Sequence, residues 1–302
     1  MNRKKQFMVL MLCVLALAIG LSAAQAQAQA QRKLCDPPQP QRAGASFIPS
    51  VTTYLGYKAS LILSGLDEPA GIGVSPKGDK ICFGTESDYS VWMYQNQELK
   101  LIQTTPNSPL GASYRGAFYW GDANGNISKA GDGLPPQYLA SVPDTFISAL
   151  DVDPQTGIIY FIAEHPTSVA YIAILKLLPG SSTPVALGYI FNSSWGLAVK
   201  GNFLYFTYYS SGQIYKESKN GGPLILVTGG LNGPTDICFD TKGNMIVAEW
   251  NGGSIARVKA GSLIIARIAT GLANPYYLQL DASDNIYLTD NATGMLWKLK
   301  KH

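Results

Sequence analysis

One phrase recurs along this chain and constrains it more than any single residue does. It is a turn, a short apolar strand ending in Asp or a small polar residue, a Gly or Asn turn, and a second strand rich in Tyr, Phe and Val. It is clearest in GPTDICFDTKGNMIVAEWNGGSIARV from Gly233, in NPYYLQLDASDNIYLTDNATGMLWKL from Asn274 and in FISALDVDPQTGIIYFIAEH from Phe146. A repeat of this length sets the architecture, because each unit must bury its apolar face against the next.

The copies align on Val74, Val152, Val199, Phe239 and Leu280, each at the end of a first strand. Their spacings are about 78, 47, 40 and 41 residues, so the first gap holds one more copy. That copy is the weaker AFYWGDANGNISKAG from Ala117, whose first strand falls around Ser113 to Gly116. Six units of about 40 residues match the period of a four-stranded propeller blade. The last unit has only three strands before the chain ends at Met295 to Lys300, and the apolar segment Ala59 to Leu63 is left over near the other end. The spacing therefore predicts an all-β, six-bladed β-propeller closed by that N-terminal strand, which completes the last blade and removes an exposed edge.

The region from about Ala59 to His302 resembles the six-bladed propellers built from NHL repeats, from the YWTD repeats of lipoprotein receptors, and of the gluconolactonase/regucalcin family. The NHL likeness lies in GLDEPAGIGVSPKG from Gly65 and in GLNGPTDICFDTKGNMIVAEWNGGSIARV. The YWTD likeness lies in Tyr119-Trp120-Gly121-Asp122, in ALDVDPQTGIIYF and in LYFTYYSSGQIYKESKNGG from Leu204. Such motifs imply a fold strongly and an activity weakly.

The remainder of the chain predicts export. A basic start, Asn2 to Lys5, precedes an apolar run from Phe7 to Leu21 and the small residues Ser22-Ala23-Ala24-Gln25-Ala26, the pattern of a cleaved signal peptide over residues 1–26. The run is shorter than the roughly 20 residues that span a bilayer. Residues 27–58, rich in Gln, Ala and Pro at their start, read as a linker, and 59–302 as the propeller domain. The expected location is secreted and extracellular, or periplasmic in a bacterial host, with no integral membrane span in the mature chain. With 46% hydrophobic and 14% charged residues a disordered body is excluded. Loss of Arg3, Lys4 and Lys5 with the signal leaves 20 basic residues against 20 acidic, which argues against a nucleic-acid partner. A monomer is expected.

Three cysteines remain after the signal. Cys35 sits in the linker, while Cys82 and Cys238 fall in blades that are not adjacent and are expected to be ordinary packed residues. Their spacing matches no zinc motif. Export gives weight to three glycosylation sequons at Asn126, Asn192 and Asn291, although turns rich in Asn, Ser and Thr also generate such triplets by chance.

The resemblance to gluconolactonases implies a divalent cation, often calcium, held at the channel mouth by a Glu, an Asn and an Asp from different blades. Asp67 in LDEP takes the place of the Glu. Trp195 in SSWGL stands where the Asn would be, and Thr235 in GPTDI where the Asp would be, with Asp236 one position late. A one-residue slip on a strand turns a side chain to the opposite face, and an indole does not ligate calcium. If a metal were held, Asp67 and Asp236 would be its ligands. No GxSxG elbow or phosphate-cradling loop occurs, and the histidines His165 and His302 have no evident partner. Glu249, Asp290 and Asp122 end second strands and are expected to tie neighbouring loops.

The same register gathers aromatic residues. Trp195, Thr235 and Tyr276 occupy equivalent starts of first strands, with Tyr277 beside the last and Trp250 just beyond a second strand. Rings around a mouth suit protein, peptide or glycan ligands, whereas Trp120, Tyr160 and Tyr287, inside second strands, suit packing. The residues together predict a binding or scaffold module, with Trp195, Thr235, Asp236, Tyr276, Tyr277 and Trp250 as its ligand-facing positions, no catalytic residue and no cofactor. The alternative is a calcium-dependent lactonase or ester hydrolase.

Overall fold

The computed structural model describes residues 48–105, 107–131, 135–165, 172–190 and 194–302. The export signal, Cys35 and Asn192 lie outside the described residues.

Two short strands, β1 (Thr52–Thr53) and β2 (Tyr57–Leu63), precede the blades. Blade 1 holds β3 (Pro69–Val74), β4 (Lys80–Thr85), β5 (Ser90–Gln95) and β6 (Glu98–Thr104), and blade 2 holds β7 (Pro109–Tyr114), β8 (Phe118–Asp122), β9 (Asn126–Ala130) and β10 (Gln137–Ser141). Blade 3 holds β11 (Phe146–Val152), β12 (Ile159–Glu164), β13 (Ile172–Leu177) and β14 (Val185–Ile190), and blade 4 holds β15 (Leu197–Lys200), β16 (Phe203–Tyr208), β17 (Gln213–Ser218) and β18 (Ile225–Thr228). Blade 5 holds β19 (Pro234–Phe239), β20 (Met245–Glu249), β21 (Ser254–Val258) and β22 (Ile265–Thr270), and blade 6 holds β23 (Pro275–Leu280), β24 (Ile286–Asp290) and β25 (Met295–Lys301).

The chain is an all-β, six-bladed propeller of antiparallel sheets. Its closure is the one the repeat spacing predicts. β2 pairs with β25 along its length, Ala59 opposite Leu299 and Leu61 opposite Trp297, so both ends of the chain share blade 6. The closing strand starts two residues earlier than expected, at Tyr57. β1 was not anticipated: Thr52 and Thr53 pair with Thr270 and Ala269 as a fifth strand on blade 5. Part of the segment read as linker is thus built into the fold, where it covers an otherwise open edge.

Burial follows position in the blade. The inner strand β3 (PAGIGV) and the second strand β24 (IYLTD) are buried throughout, while the outermost β6 (ELKLIQT) exposes most of its residues. An apolar cluster fills each junction between blades, such as Ile127, Ile147 and Phe161 between blades 2 and 3, and Ile246, Leu278, Leu288 and Trp297 between blades 5 and 6. Trp120, Tyr160 and Tyr287 belong to this core.

Many of the repeat's polar residues hold turns. Asp240 Oδ1 accepts from the amides of Lys242 and Asn244, and Oδ2 accepts from Asn244 Nδ2. Asp281 and Asn285 repeat this arrangement. The Asp at the start of each turn thereby satisfies amides that no strand can reach.

Candidate functional site

The central channel has two ends of different character. At the end where the inner strands begin, the register slips just inside β3, β7, β11, β19 and β23. Neighbouring inner strands come very close at this level. A Cβ on Gly71 would lie 2.0 Å from Leu110 O, and one on Gly111 only 2.4 Å from Ala149 Cα. Four rings pack into the narrow throat: Tyr276 stands 4.4 Å from Tyr277, 5.0 Å from Trp250 and 6.1 Å from Trp195 between ring centroids. Tyr277 reaches across the channel, its hydroxyl donating to Ser148 O of blade 3 at 2.8 Å. Thr235 Oγ1 donates to Tyr276 O, also at 2.8 Å.

The structure therefore brings Trp195, Thr235, Tyr276, Tyr277 and Trp250 together, but as a plug. Trp195 is the most exposed of the five, at 8%. Rings expected to stand around a mouth bury one another instead, because six converging strands leave less room than large side chains need.

The open part of the channel lies at the other end, ringed by the turns that link first to second strands. It is a cavity of about 680 Å³, within the roughly 300–1,000 Å³ of ordinary ligand sites. Arg115, Tyr119, Asp151, Asp236, Cys238 and Gln279 are among the residues that line it. Asp236 faces it because the register of β19 shifts between Pro234 and Asp236, the irregularity that the one-residue slip required. Burial pushes its carboxyl up to about 8, against hydrogen bonds from the amides of Leu278 and Ile237 that favour the charged form. Asp151 accepts from Ser113 Oγ at 2.8 Å and from the Val199 amide at 2.9 Å, which ties blades 2, 3 and 4 together. Gln279 Oε1 accepts from the Val74 amide at 2.7 Å and ties blade 6 to blade 1. Arg115 NH2 stands 3.7 Å from Asp151 Oδ1, while at the rim Lys219 neutralises Asp153 and Lys301 neutralises Asp284.

Glu249 and Asp290 tie neighbouring loops as expected, whereas Asp122 holds the turn that follows its own strand. Glu249 accepts from the Asn232 amide and from Ser254 Oγ and pairs with Arg267 at 2.7 Å. Asp290 accepts from the amides of Ala273 and Asn274, and Asp122 from those of Asn124 and Asn126. The two described sequon asparagines are turned inward. Asn291 is 5% exposed, with its amide donating to Pro69 O, and Asn126 Nδ2 donates to Asp122 Oδ2. Cys82 is buried and Cys238 is half-buried at the cavity wall, and among the described residues neither forms a disulfide.

The residues do not fit a calcium site of the gluconolactonase kind. Thr235 spends its hydroxyl on main-chain carbonyls, Trp195 offers an indole, and Asp236 holds a main-chain amide with a carboxyl that burial drives towards its neutral form. Asp67 does not line the cavity that Asp236 lines. Among the described residues no group of three or more His, Cys, Asp or Glu side chains is placed to hold a metal ion. Sequence reasoning missed Asp151 and Arg115 as residues of the cavity wall. The only signal was Asp151 in ALDVD, a carboxylate at a position occupied in other blades by Gly73, Ala198, Cys238 and Gln279.

No protein-family model matches the sequence, and neither does any curated protein. Solved structures do match its fold. A gluconolactonase from Xanthomonas campestris superposes with a TM-score of 0.70 at 14% identity, over 88% of this chain and 99% of that one. The calcium-binding protein regucalcin from Agrobacterium tumefaciens gives 0.67 at 11% identity, over 81% and 94%. A luciferin-regenerating enzyme gives 0.69 at 10% identity, over 81% and 95%. The chain is thus a six-bladed propeller whose fold is related to that of gluconolactonase and regucalcin. Among the described residues no helix is long and apolar enough to cross a membrane.

Proposed function

We propose that this propeller is a binding module that takes a hydroxyl-rich ligand, such as the end of a glycan, into the channel cavity on the turn side. One observation carries this reading: the channel is plugged by Trp195, Trp250 and Tyr276 at one end and opens at the other into a cavity of about 680 Å³ with mixed hydrogen-bonding groups. Burial raises the Asp236 carboxyl to about 8 and drives it towards its neutral form, which both donates and accepts. With the Asp151 carboxylate, the Arg115 guanidinium and the Tyr119 ring, the wall offers what neutral sugars use: paired polar contacts and an aromatic face.

The relationship to solved gluconolactonases favours a second reading, a metal-dependent lactonase, and the same experiment separates the two. Neutral oligosaccharides are titrated calorimetrically into the mature chain, and gluconolactone hydrolysis is followed with and without calcium. Saturable sugar binding that weakens in Arg115→Ala and Tyr119→Ala, at unchanged melting temperature, supports the binding module. Calcium-dependent hydrolysis above background overturns it in favour of the lactonase.

A further inference from the structure

A second concave surface lies outside the channel, in the cleft between blades 4 and 5. It has a volume of about 460 Å³ and is walled by Tyr205, Ile225, Leu226, Phe239, Met245 and Leu263. Met245 and Val258 form a buried floor, whereas Leu226 is 52% and Leu263 74% exposed at the rim. Three lysines, Lys200, Lys216 and Lys259, line the same cleft, and no Asp or Glu does. Among the described residues none of the three makes an ion pair. Lys200 Nζ instead stands 4.2 Å over the Phe239 ring and Lys216 Nζ 4.5 Å over Phe203. Lys200 has lost hydration there, and the opposing charge that acts on it, Asp240, lies outside the cleft lining.

Exposed apolar residues occur on other outer strands too, such as Leu99, Leu101 and Tyr138. Leu101 also borders a cleft, of about 360 Å³, with a single lysine, Lys100, whereas the residues on β18 and on the turn between β21 and β22 border one that is apolar along its floor and carries three lysines along its sides. Charge complementarity selects an anion, and the apolar floor selects an alkyl chain attached to it.

We propose that the cleft between blades 4 and 5 binds a free single-chain anionic amphiphile, with its alkyl chain along Phe239, Met245 and Leu226 and its anionic head among Lys200, Lys216 and Lys259. This rests on the cleft alone and stands whether or not the channel binds a sugar.

Dodecanoate, titrated calorimetrically into the mature chain below its micelle concentration, is the test. The expected result is saturable one-to-one binding that weakens about tenfold or more in Lys216→Glu, since a charge partner becomes a like charge. Leu226→Asp, at an exposed site where the melting temperature should not move, is expected to weaken it as well. Dodecyltrimethylammonium, with the same chain and the opposite charge, should give no saturable binding. Equal binding of the cationic amphiphile, or binding unchanged in Lys216→Glu, overturns the proposal. Co-flotation with phosphatidylglycerol vesicles that dodecanoate does not displace would reassign the surface to a membrane. Capture of an acidic apolar peptide without any dodecanoate binding would reassign it to a protein partner.

Discussion

Asp236 makes the stability of this propeller depend on pH in a direction opposite to most carboxylates. Its carboxyl is raised from 3.8 to about 8 by burial in the channel wall, so the folded chain holds a proton that the unfolded chain releases. The stability this contributes is complete below pH 3.8 and is lost as pH rises through the window up to about 8. The full slope is about 1.4 kcal/mol per pH unit, or about 4 kcal/mol between pH 5 and pH 8. The carboxyl still faces the cavity, and water reaching it there reduces the cost of its charge, so about 2 kcal/mol is the smallest loss expected. For a domain of this size that corresponds to a fall in melting temperature of roughly 4 to 16 °C. Asp236→Asn keeps an oxygen for the Leu278 amide and cannot ionise, so its loss over the same range should be smaller by that amount. Asp122, Asp290 and Glu217 are also raised by burial, and the difference between parent and variant removes their share. Calorimetric melts of both proteins from pH 5 to 8 decide the matter: parallel curves would refute the assignment of a buried, protonated Asp236.

Three further outcomes follow from the packing. Deleting Tyr57–Leu63 removes the outer partner of β25 and leaves it paired with β24 alone, and a thermal melt should show cooperative loss of the entire domain; an unchanged melt would mean that blade 6 closes in another way. Gly111→Ala places a Cβ 2.4 Å from Ala149 Cα in a neighbouring inner strand, with an expected cost of about 1–3 kcal/mol, seen as a lower midpoint in urea. Burial acts to raise the carboxyl of Asp284, but hydrogen bonds from Lys301 and Thr241 outweigh it and hold the carboxyl below its usual value. Its contribution is therefore present above the usual carboxylate range and fades on acidification, so Lys301→Ala should cost about 1 kcal/mol at neutral pH and converge with the parent in acid.

The fold was legible because its signal is local and repeated. Asp240 with Asn244, and Asp281 with Asn285, mark turns held by side-chain bonds within five residues, and the missing fourth strand of blade 6 pointed to the stretch that supplies it. β1 was not legible, since Thr52 and Thr53 are too few to show a strand period and take their place by pairing with Thr270 and Ala269 of blade 5. The channel was legible in its membership and not in its state. The register placed Trp195, Thr235, Tyr276 and Tyr277 at one level, but whether the rings among these and that of Trp250 line a mouth or close it depends on the spacing of six inner strands, which no single repeat encodes. Asp151 escaped notice because its partners, Ser113 and the Val199 amide, lie in two other blades.

The same close spacing bears on why metal chemistry is a poor fit here. Inner strands that ring a channel present main-chain groups towards it, and each needs a partner. In this chain side chains supply them from one blade to the next: Asp151 holds the Val199 amide, Asp236 the Leu278 amide, Gln279 the Val74 amide, and Thr235 caps Tyr276 O. A carboxylate engaged in such a bond can turn to a cation only by orphaning a buried amide, at a cost of about 1–3 kcal/mol. For Asp236 the cost of ionising in a buried wall is added. Asp151, Asp236, Gln279 and Thr235 are thus joints of the ring. What remains free to meet a ligand is the wider part of the channel beyond them, where Arg115 and Tyr119 reach the cavity from blade 2.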